Sequence, residues 1–401
     1  MDKVLVESCE ARLVDKFKRL EEISLFNQNK VLEAFKRNKI ALRHFSGTNG
    51  YGYGDEGRDT LNQLVADIFK AEKAVCSPTI LSGTHALSLC LYGILRPDDT
   101  MVSITGMPYD TLVDVILGDG NGSLKDFRVN FDCIPLKNDR VDILSVKKYL
   151  AENKPKMVYM QRSRGYEWRS ALSVDYIEEI IKEIRESGYD GCIMVDNCYG
   201  EFVETREVIE VGANVMAGSM IKNPGGGIAP TGGYVAGDAK YVDLIQNRIT
   251  APSIGGEVGS YAYGYQQFFQ GLFLAPHVVK EALKGSLLFG QVLAECGYET
   301  SPKLDEEPYD ITRSIKFNDR DKLISFIQNI QANSPVDSFV TVLPWEMPGY
   351  NDEVIMAAGC FVQGSSIELS ADAPVKPPYI AYLQGGLTYE HCKIALLNLE
   401  I

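Results

Sequence analysis

Long apolar runs are missing from this sequence. None approaches the roughly eighteen residues that a membrane-crossing helix needs, and the N-terminus lacks the basic-then-apolar layout of a signal peptide. The expectation is a soluble, cytoplasmic protein with no membrane partner. Histidine is also scarce: His44, His85, His277 and His391 are too dispersed for a zinc site, and no metal is expected. The nine cysteines form no CxxC pair, and Cys76, Cys90 and Cys192 sit inside apolar runs. They read as buried reduced thiols rather than a disulfide framework. Positive charge is in deficit, 40 Lys and Arg against 54 Asp and Glu, for a net charge of −14. That argues against a nucleic-acid partner, since neutralising phosphates takes clustered cations. Nor does a G-x-G-x-x-G follow the first strand, which argues against a nicotinamide dehydrogenase.

What remains is the balance of an ordinary enzyme. The 401 residues, 45% hydrophobic and 23% charged, suffice for one large core and a smaller one. Apolar positions at helical spacing (Leu13, Phe17, Leu20, Ile23, then Val31, Leu32, Phe35) predict one or two amphipathic helices over 3–38. They are either core helices or an arm lying on a neighbouring subunit. Segment 44–59, HFSGTNGYGYGDEGRD, holds five glycines and cannot be regular secondary structure. Its Tyr53 and Arg58 offer a phenol and a planar cation fork, apt ligands for an anion. A helix over 59–72 follows.

Next, a short strand leads into Ser82-Gly83-Thr84 at the start of an apolar helix, with Ser82 placed as N-cap. Free amides and the helix dipole make such a turn a ready phosphate site, and His85 stands next to it. A strand from residue 100 leads to Tyr109, an aromatic that either lies on a cofactor ring or packs in the core. Helices over 140–151 and 173–187 flank a strand at 156–162, which runs into SRGYEWR with Arg162, Arg164 and Arg169. A strand at 190–197 ends at Asp196 and Asn197. This alternation predicts an α/β fold with a mostly parallel sheet, whose ligands gather at strand C-terminal ends. Ser82, Gly83, Thr84, Tyr109, Gln161, Arg162, Asp196 and Asn197 all fall at or just beyond such ends. A helical region over 266–296 is expected to break at Pro276. A composition shift at 297–312 marks a boundary, giving three parts: an N-terminal helical arm and loop (1–55), a large α/β domain (56–296) and a small α+β domain (297–401).

One stretch, MAGSMIKNPGGGIAPTGG (216–233), sets Lys222 among small residues, with Ser219 three positions before it. A nucleophilic lysine must be neutral some of the time, which a crowded, poorly solvated setting favours. Lys222 following a strand-end aspartate, Asp196, suggests pyridoxal phosphate: a Schiff-base lysine and a partner for the pyridine nitrogen. A surface lysine beside a flexible glycine loop is the competing account.

The blocks GYGYGDEGRD, SGTHAL, QRSRGYEWR, VDNCYGEF, GSMIKNPGGGIAPTGGY, ITAPSIGGEVG and PYIAYLQGGLTYEH run from about residue 45 to 391. As a set they resemble the fold type I pyridoxal-phosphate enzymes of cysteine and methionine metabolism, in particular the methionine gamma-lyase-like, aluminium-resistance branch. The resemblance implies a mainly parallel seven-stranded sheet flanked by helices, with a smaller α+β C-terminal domain. It implies that Lys222 carries the cofactor and Asp196 holds its ring nitrogen. Ser82, Gly83, Thr84 and Ser219 would hold the phosphate, Tyr109 would stack on the ring, and Tyr53 and Arg58 would reach a neighbouring subunit's phosphate. Related enzymes bind the substrate carboxylate with an arginine where this chain has Lys376, so Lys376 or one of Arg162, Arg164 and Arg169 is expected to take that role. The implied reaction is β- or γ-elimination on a sulfur-containing amino acid of cystathionine, methionine or cysteine type, in a homodimer or homotetramer with shared active sites. An aminotransferase, a replacement-type synthase and a non-catalytic stress-related protein stay open as alternatives.

Overall fold

The computed structural model describes residues 1–347, 350 and 352–400. Two N-terminal helices, α1 (Lys3–Ala11) and α2 (Val14–Arg37), precede α3 (Glu56–Phe69). The first sheet is then built from β1 (Lys73–Ser77), α4 (Gly83–Ile94), β2 (Thr100–Ser103), α5 (Asp110–Leu117), β3 (Asn130–Cys133), α6 (Ile143–Asn153), β4 (Met157–Gln161), α7 (Val174–Glu186), β5 (Cys192–Asp196), β6 (Val215–Ser219) and β7 (Gly233–Gly237). Its order is β1-β7-β6-β5-β4-β2-β3, with the run from β6 to β3 parallel and β7 antiparallel to both its neighbours. Every residue of β4 (MVYMQ) and β5 (CIMVD) is buried, as central parallel strands covered by helices on both faces require. Their C-terminal ends therefore open on one edge of the sheet, and α4 starts at that same edge.

Helices α8 (Ala239–Ile249) and α9 (Gln266–Glu295) follow. The expected break at Pro276 does not occur, and α9 runs through it. Proline removes one helical N–H, but Leu272, Ala275, Val279 and Leu283 are all buried along the same face and hold both halves on one axis. The N-terminal helices pack into this chain's own core. α2 lies along α9, with the Ser24 hydroxyl donating to Pro276 O (3.0 Å), Gln28 to Phe273 O (3.0 Å), and Lys284 to Glu21 (2.6 Å).

The second sheet is antiparallel. It comprises β8 (Glu299–Ser301), β9 (Thr312–Lys316), β10 (Val354–Ala357), β11 (Ser370–Pro374) and β12 (Ile380–Gln384) in the order β10-β11-β12-β9-β8. Helix α10 (Arg320–Ala332) packs against it, and α11 (Tyr389–Leu397) packs on α9. Thr312 at the start of β9, Asp372 in β11 and Gln384 at the end of β12 face the strand ends of the first sheet across a cavity. Among the described residues no helix is long and apolar enough to cross a membrane.

Candidate active site

The cavity, of about 970 Å³ including its open mouth, sits where the C-terminal ends of β4, β5 and β6 meet the N-terminus of α4 and the second sheet. That is where ligands collect in open α/β sheets. Lys222 lies on its wall, on the connection from β6 to β7. The glycines that follow it are not a flexible tether. A Cβ at Gly225 would stand 1.7 Å from Met220 O, and one at Gly226, which has φ +55°, would stand 2.6 Å from Gly271 O of α9. Glycine lets the lysine loop press backbone to backbone on that helix.

Opposite this loop, Ser82 caps α4 by accepting from His85 N (3.1 Å), and His85 itself accepts from Leu81 N (3.1 Å), tying down the turn. A Cβ on Gly83 would meet Cys198 Sγ at 3.2 Å, Ser219 Cβ at 3.6 Å and Lys222 Nζ at 3.9 Å. A side chain there would crowd the space in front of the α4 N-terminus, where backbone amides can take a small anion. Thr84 is bonded to Thr111 (2.8 Å) and Ser219 closes the end of β6, both lining the cavity.

Asp196 is buried at the end of β5, where it accepts from Cys198 N (3.1 Å) and from the Tyr159 hydroxyl (3.4 Å). Burial pushes its carboxyl pKa up, against the pull of Lys222 and of these hydrogen bonds. Lys222 departs from expectation. Burial acts to lower its pKa, but the acidic groups of Cys198, Tyr199, Asp196 and Glu201 more than offset it, and the net direction is upward. Crowding alone therefore does not free the amine. Tyr109 caps α5, fixed through its backbone N–H donating to Gln161 Oε1 (2.8 Å), and its phenol bonds the Tyr350 hydroxyl. Burial and Tyr350 push the Tyr109 phenol up, so it keeps its proton.

The structure thus brings Ser82, Gly83, Thr84, Tyr109, Asp196, Ser219 and Lys222 into one cavity. It keeps the basic candidates out. Arg162 donates to Leu172 O (3.2 Å), Asn197 Oδ1 (2.9 Å) and Gly200 O (2.9 Å), and pairs with Glu204. Arg169 bonds Glu167 (3.0 Å) and Gln161 O (3.1 Å). Both guanidiniums are engaged in fixing the loop, and neither lines the cavity. Arg164 is held by Ser301 O (2.9 Å) and faces Asp310 (3.5 Å); it borders the neighbouring cleft, as does Lys376, which pairs with Asp352 at 2.6 Å. Tyr53 is 71% exposed, and Arg58 donates to Gly52 O (3.0 Å) and Gly259 O (3.2 Å), both away from this chain's own cavity.

Sequence reasoning missed Tyr166, Cys198, Tyr199, Asp372 and Gln384, all of which line the cavity. Cys198 and Tyr199 directly follow the strand-end pair Asp196-Asn197 and were findable by adjacency. Asp372 and Gln384 come from the second sheet, and no local signal points to them. Among the described residues no group of three or more His, Cys, Asp or Glu is arranged to hold a metal ion.

A family model described as methionine gamma-lyase matches residues 2–400. The uncharacterized protein YnbB of Bacillus subtilis is 47% identical over 393 residues, covering 97% of this chain and 93% of that one. A solved structure from Clostridium novyi NT, named a carbon-sulfur lyase involved in aluminum resistance, is 48% identical with a TM-score of 0.94, covering 98% of this chain and 94% of its own. The Escherichia coli protein YhfS, named pyridoxal-5'-phosphate dependent, shares the fold at 16% identity, with a TM-score of 0.63 over 94% of this chain and 96% of its own. The seven-stranded, mostly parallel sheet with its separate antiparallel sheet is thus the fold type I architecture.

Proposed function

Because the chain belongs to the methionine gamma-lyase family, we propose that it is a pyridoxal 5'-phosphate-dependent carbon–sulfur lyase acting on a sulfur-containing amino acid. The observation that carries this reading is the meeting of Lys222, Asp196 and the open α4 N-terminus in one cavity. These residues fit the cofactor. The cradle that a Cβ at Gly83 would fill suits a phosphate, flanked by the hydroxyls of Ser82, Thr84 and Ser219. Lys222 supplies the amine for an aldehyde, and Asp196 the carboxylate for a pyridine nitrogen. The bound cofactor would supply an electron sink that makes the α-proton of an attached amino acid removable.

The remaining work falls to the chain. Lys222 Nζ, once free, takes the α-proton and holds it. Asp196, with Lys222 and Cys198 N favouring its anionic form against burial, would hold a protonated pyridine nitrogen. As the carbon–sulfur bond breaks, its electron pair leaves on sulfur, which takes up a proton and departs as the thiol. Hydrolysis of the resulting enamine gives a 2-oxo acid and ammonia. Tyr53 and Arg58, outside their own cavity, serve the phosphate of a neighbouring copy in a homodimer or homotetramer with shared sites. Nine free cysteines suit a reducing cytoplasm.

The test is to incubate cofactor-loaded protein with cystathionine, methionine and cysteine, and to assay thiol, 2-oxo acid and ammonia. Equimolar release of the three supports the lyase. Amino transfer without thiol release, or cofactor retention with no turnover on any of the three, overturns it.

A further inference from the structure

With Lys222 and Asp196 assigned to the cofactor, one carboxylate of the cavity is left without a role. It is Asp372, in the middle of β11. No arginine lines this cavity, and Lys222 is its one cationic side chain among the described residues. Asp372 Oδ2 accepts from Gln384 Nε2 at 3.0 Å, and the Tyr166 hydroxyl stands against the same carboxyl group. Beside it stands a cluster of tyrosines. The rings of Tyr109 and Tyr166 lie 5.7 Å apart at 65°, and Tyr350 lies 5.8 Å from Tyr166 and 6.3 Å from Tyr109. Among the described residues the buried Tyr166 hydroxyl has no hydrogen-bond partner of normal geometry.

A buried carboxylate beside aromatic rings is the chemistry that recognises a cation. The same wall repels a substrate's own α-carboxylate and any acidic side chain. We propose that Asp372, with Tyr109 and Tyr166, selects amino acids whose leaving portion carries a second positive charge, an ammonium or a sulfonium. This rests on the reading of the cavity as a lyase site and narrows its substrate class. Asp372 thereby acts as a specificity residue on the second sheet, and the cofactor residues on the first sheet do the bond breaking.

The test compares pairs in which one member carries the extra positive charge, near-isosteric in the ammonium pair and differing also by a methyl group in the sulfonium pair. Cofactor-loaded protein is given S-(2-aminoethyl)cysteine and S-propylcysteine, and separately S-methylmethionine and methionine. The expected kcat/KM ratio favours each cationic member by about tenfold or more, the scale of a charged hydrogen bond. Asp372→Asn brings the ratio close to one while the near-visible cofactor band is retained. A preference that Asp372→Asn removes in one pair only identifies that cation, ammonium or sulfonium, as the one selected. A ratio near one in the unaltered protein overturns the proposal and needs no variant to do so; an unchanged ratio in a loaded Asp372→Asn protein does the same. If no thioether is cleaved, the lyase reading fails, and calorimetric Kd values for ornithine and norleucine decide this one. Tighter ornithine binding that Asp372→Asn abolishes upholds it, and equal binding overturns it.

Discussion

Lys222 Nζ stands 4.1 Å from the centroid of the Tyr199 ring, and Tyr199 holds that ring from a left-handed backbone, φ 70°. A side chain in that region is strained and persists only where its surroundings enforce it. Here the Tyr199 hydroxyl is tied to Ser366 Oγ at 3.0 Å, which anchors the ring to the loop before β11. An ammonium over an aromatic face gains about 0.5–2 kcal/mol. Tyr199→Leu should therefore lower turnover by roughly threefold to thirtyfold, whereas Tyr199→Phe keeps the ring and loses less. Steady-state kinetics on both variants checks this order, and equal losses would locate the effect in the Ser366 bond instead.

The two central assignments separate in one pair of variants. Lys222→Ala should abolish the near-visible absorbance of lysine-bound cofactor along with turnover. A band that survives would mean another lysine carries the cofactor. Asp196→Asn should keep the band but cut turnover by about a hundredfold or more, since a fixed charge aimed at the reacting system is removed. Absorbance spectra and rates on the same preparations give both answers.

Behind the lysine loop, Glu201 accepts from the Tyr234 hydroxyl at 2.7 Å, and its other oxygen is buried without a partner among the described residues. Burial pushes its carboxyl up to about 8 from an ordinary 4.5. The folded state thus holds this proton more tightly than the unfolded chain does. Its contribution to stability is complete below pH 4.5 and is lost as pH rises through about 8. Glu201→Gln keeps the acceptor for Tyr234 and cannot ionise, so its stability should change less between those limits, by a few kcal/mol (about 1.4 per pKa unit). Denaturant unfolding at about pH 5 and about pH 8.5 on both proteins measures the difference, and parallel curves would place Glu201 at an ordinary pKa.

How far the sequence could be read depended on whether a feature is local. β4 and β5 are continuous apolar runs because both their faces are covered, and Asp196 was legible as the polar residue where such a run stops. Ser82 was legible because an N-cap is a one-turn arrangement. The arginines of QRSRGYEWR were not, since a charged side chain at a strand end looks the same whether it awaits a ligand or pairs inward. Only the folded chain shows Asn197 Oδ1 and Gly200 O at 2.9 Å from Arg162. Asp372 was out of reach for another reason: its role depends on β11 of the second sheet facing β5 of the first, a juxtaposition no sequence spacing encodes. The lysine's titration failed similarly, because the groups that offset its burial are brought in by the turn after β5.

Arg58 gives the sharpest test of shared sites. Arg58 lines two clefts that share no residue with its own Lys222 cavity, and Tyr53 is exposed. If each cavity is completed by the partner's loop, Lys222→Ala and Arg58→Ala are both inactive alone yet complementary. In a mixed dimer, one cavity carries both lesions and the other carries neither. Random reassortment makes half the dimers mixed, so an equal mixture should recover about a quarter of the unaltered activity. Each variant is first shown to melt as a folded protein, because Arg58 also braces Gly52 and Gly259. Activity is then followed after the two are dissociated and reassembled together. No recovery from two folded variants would mean that Arg58 acts within its own chain, by shaping the loop.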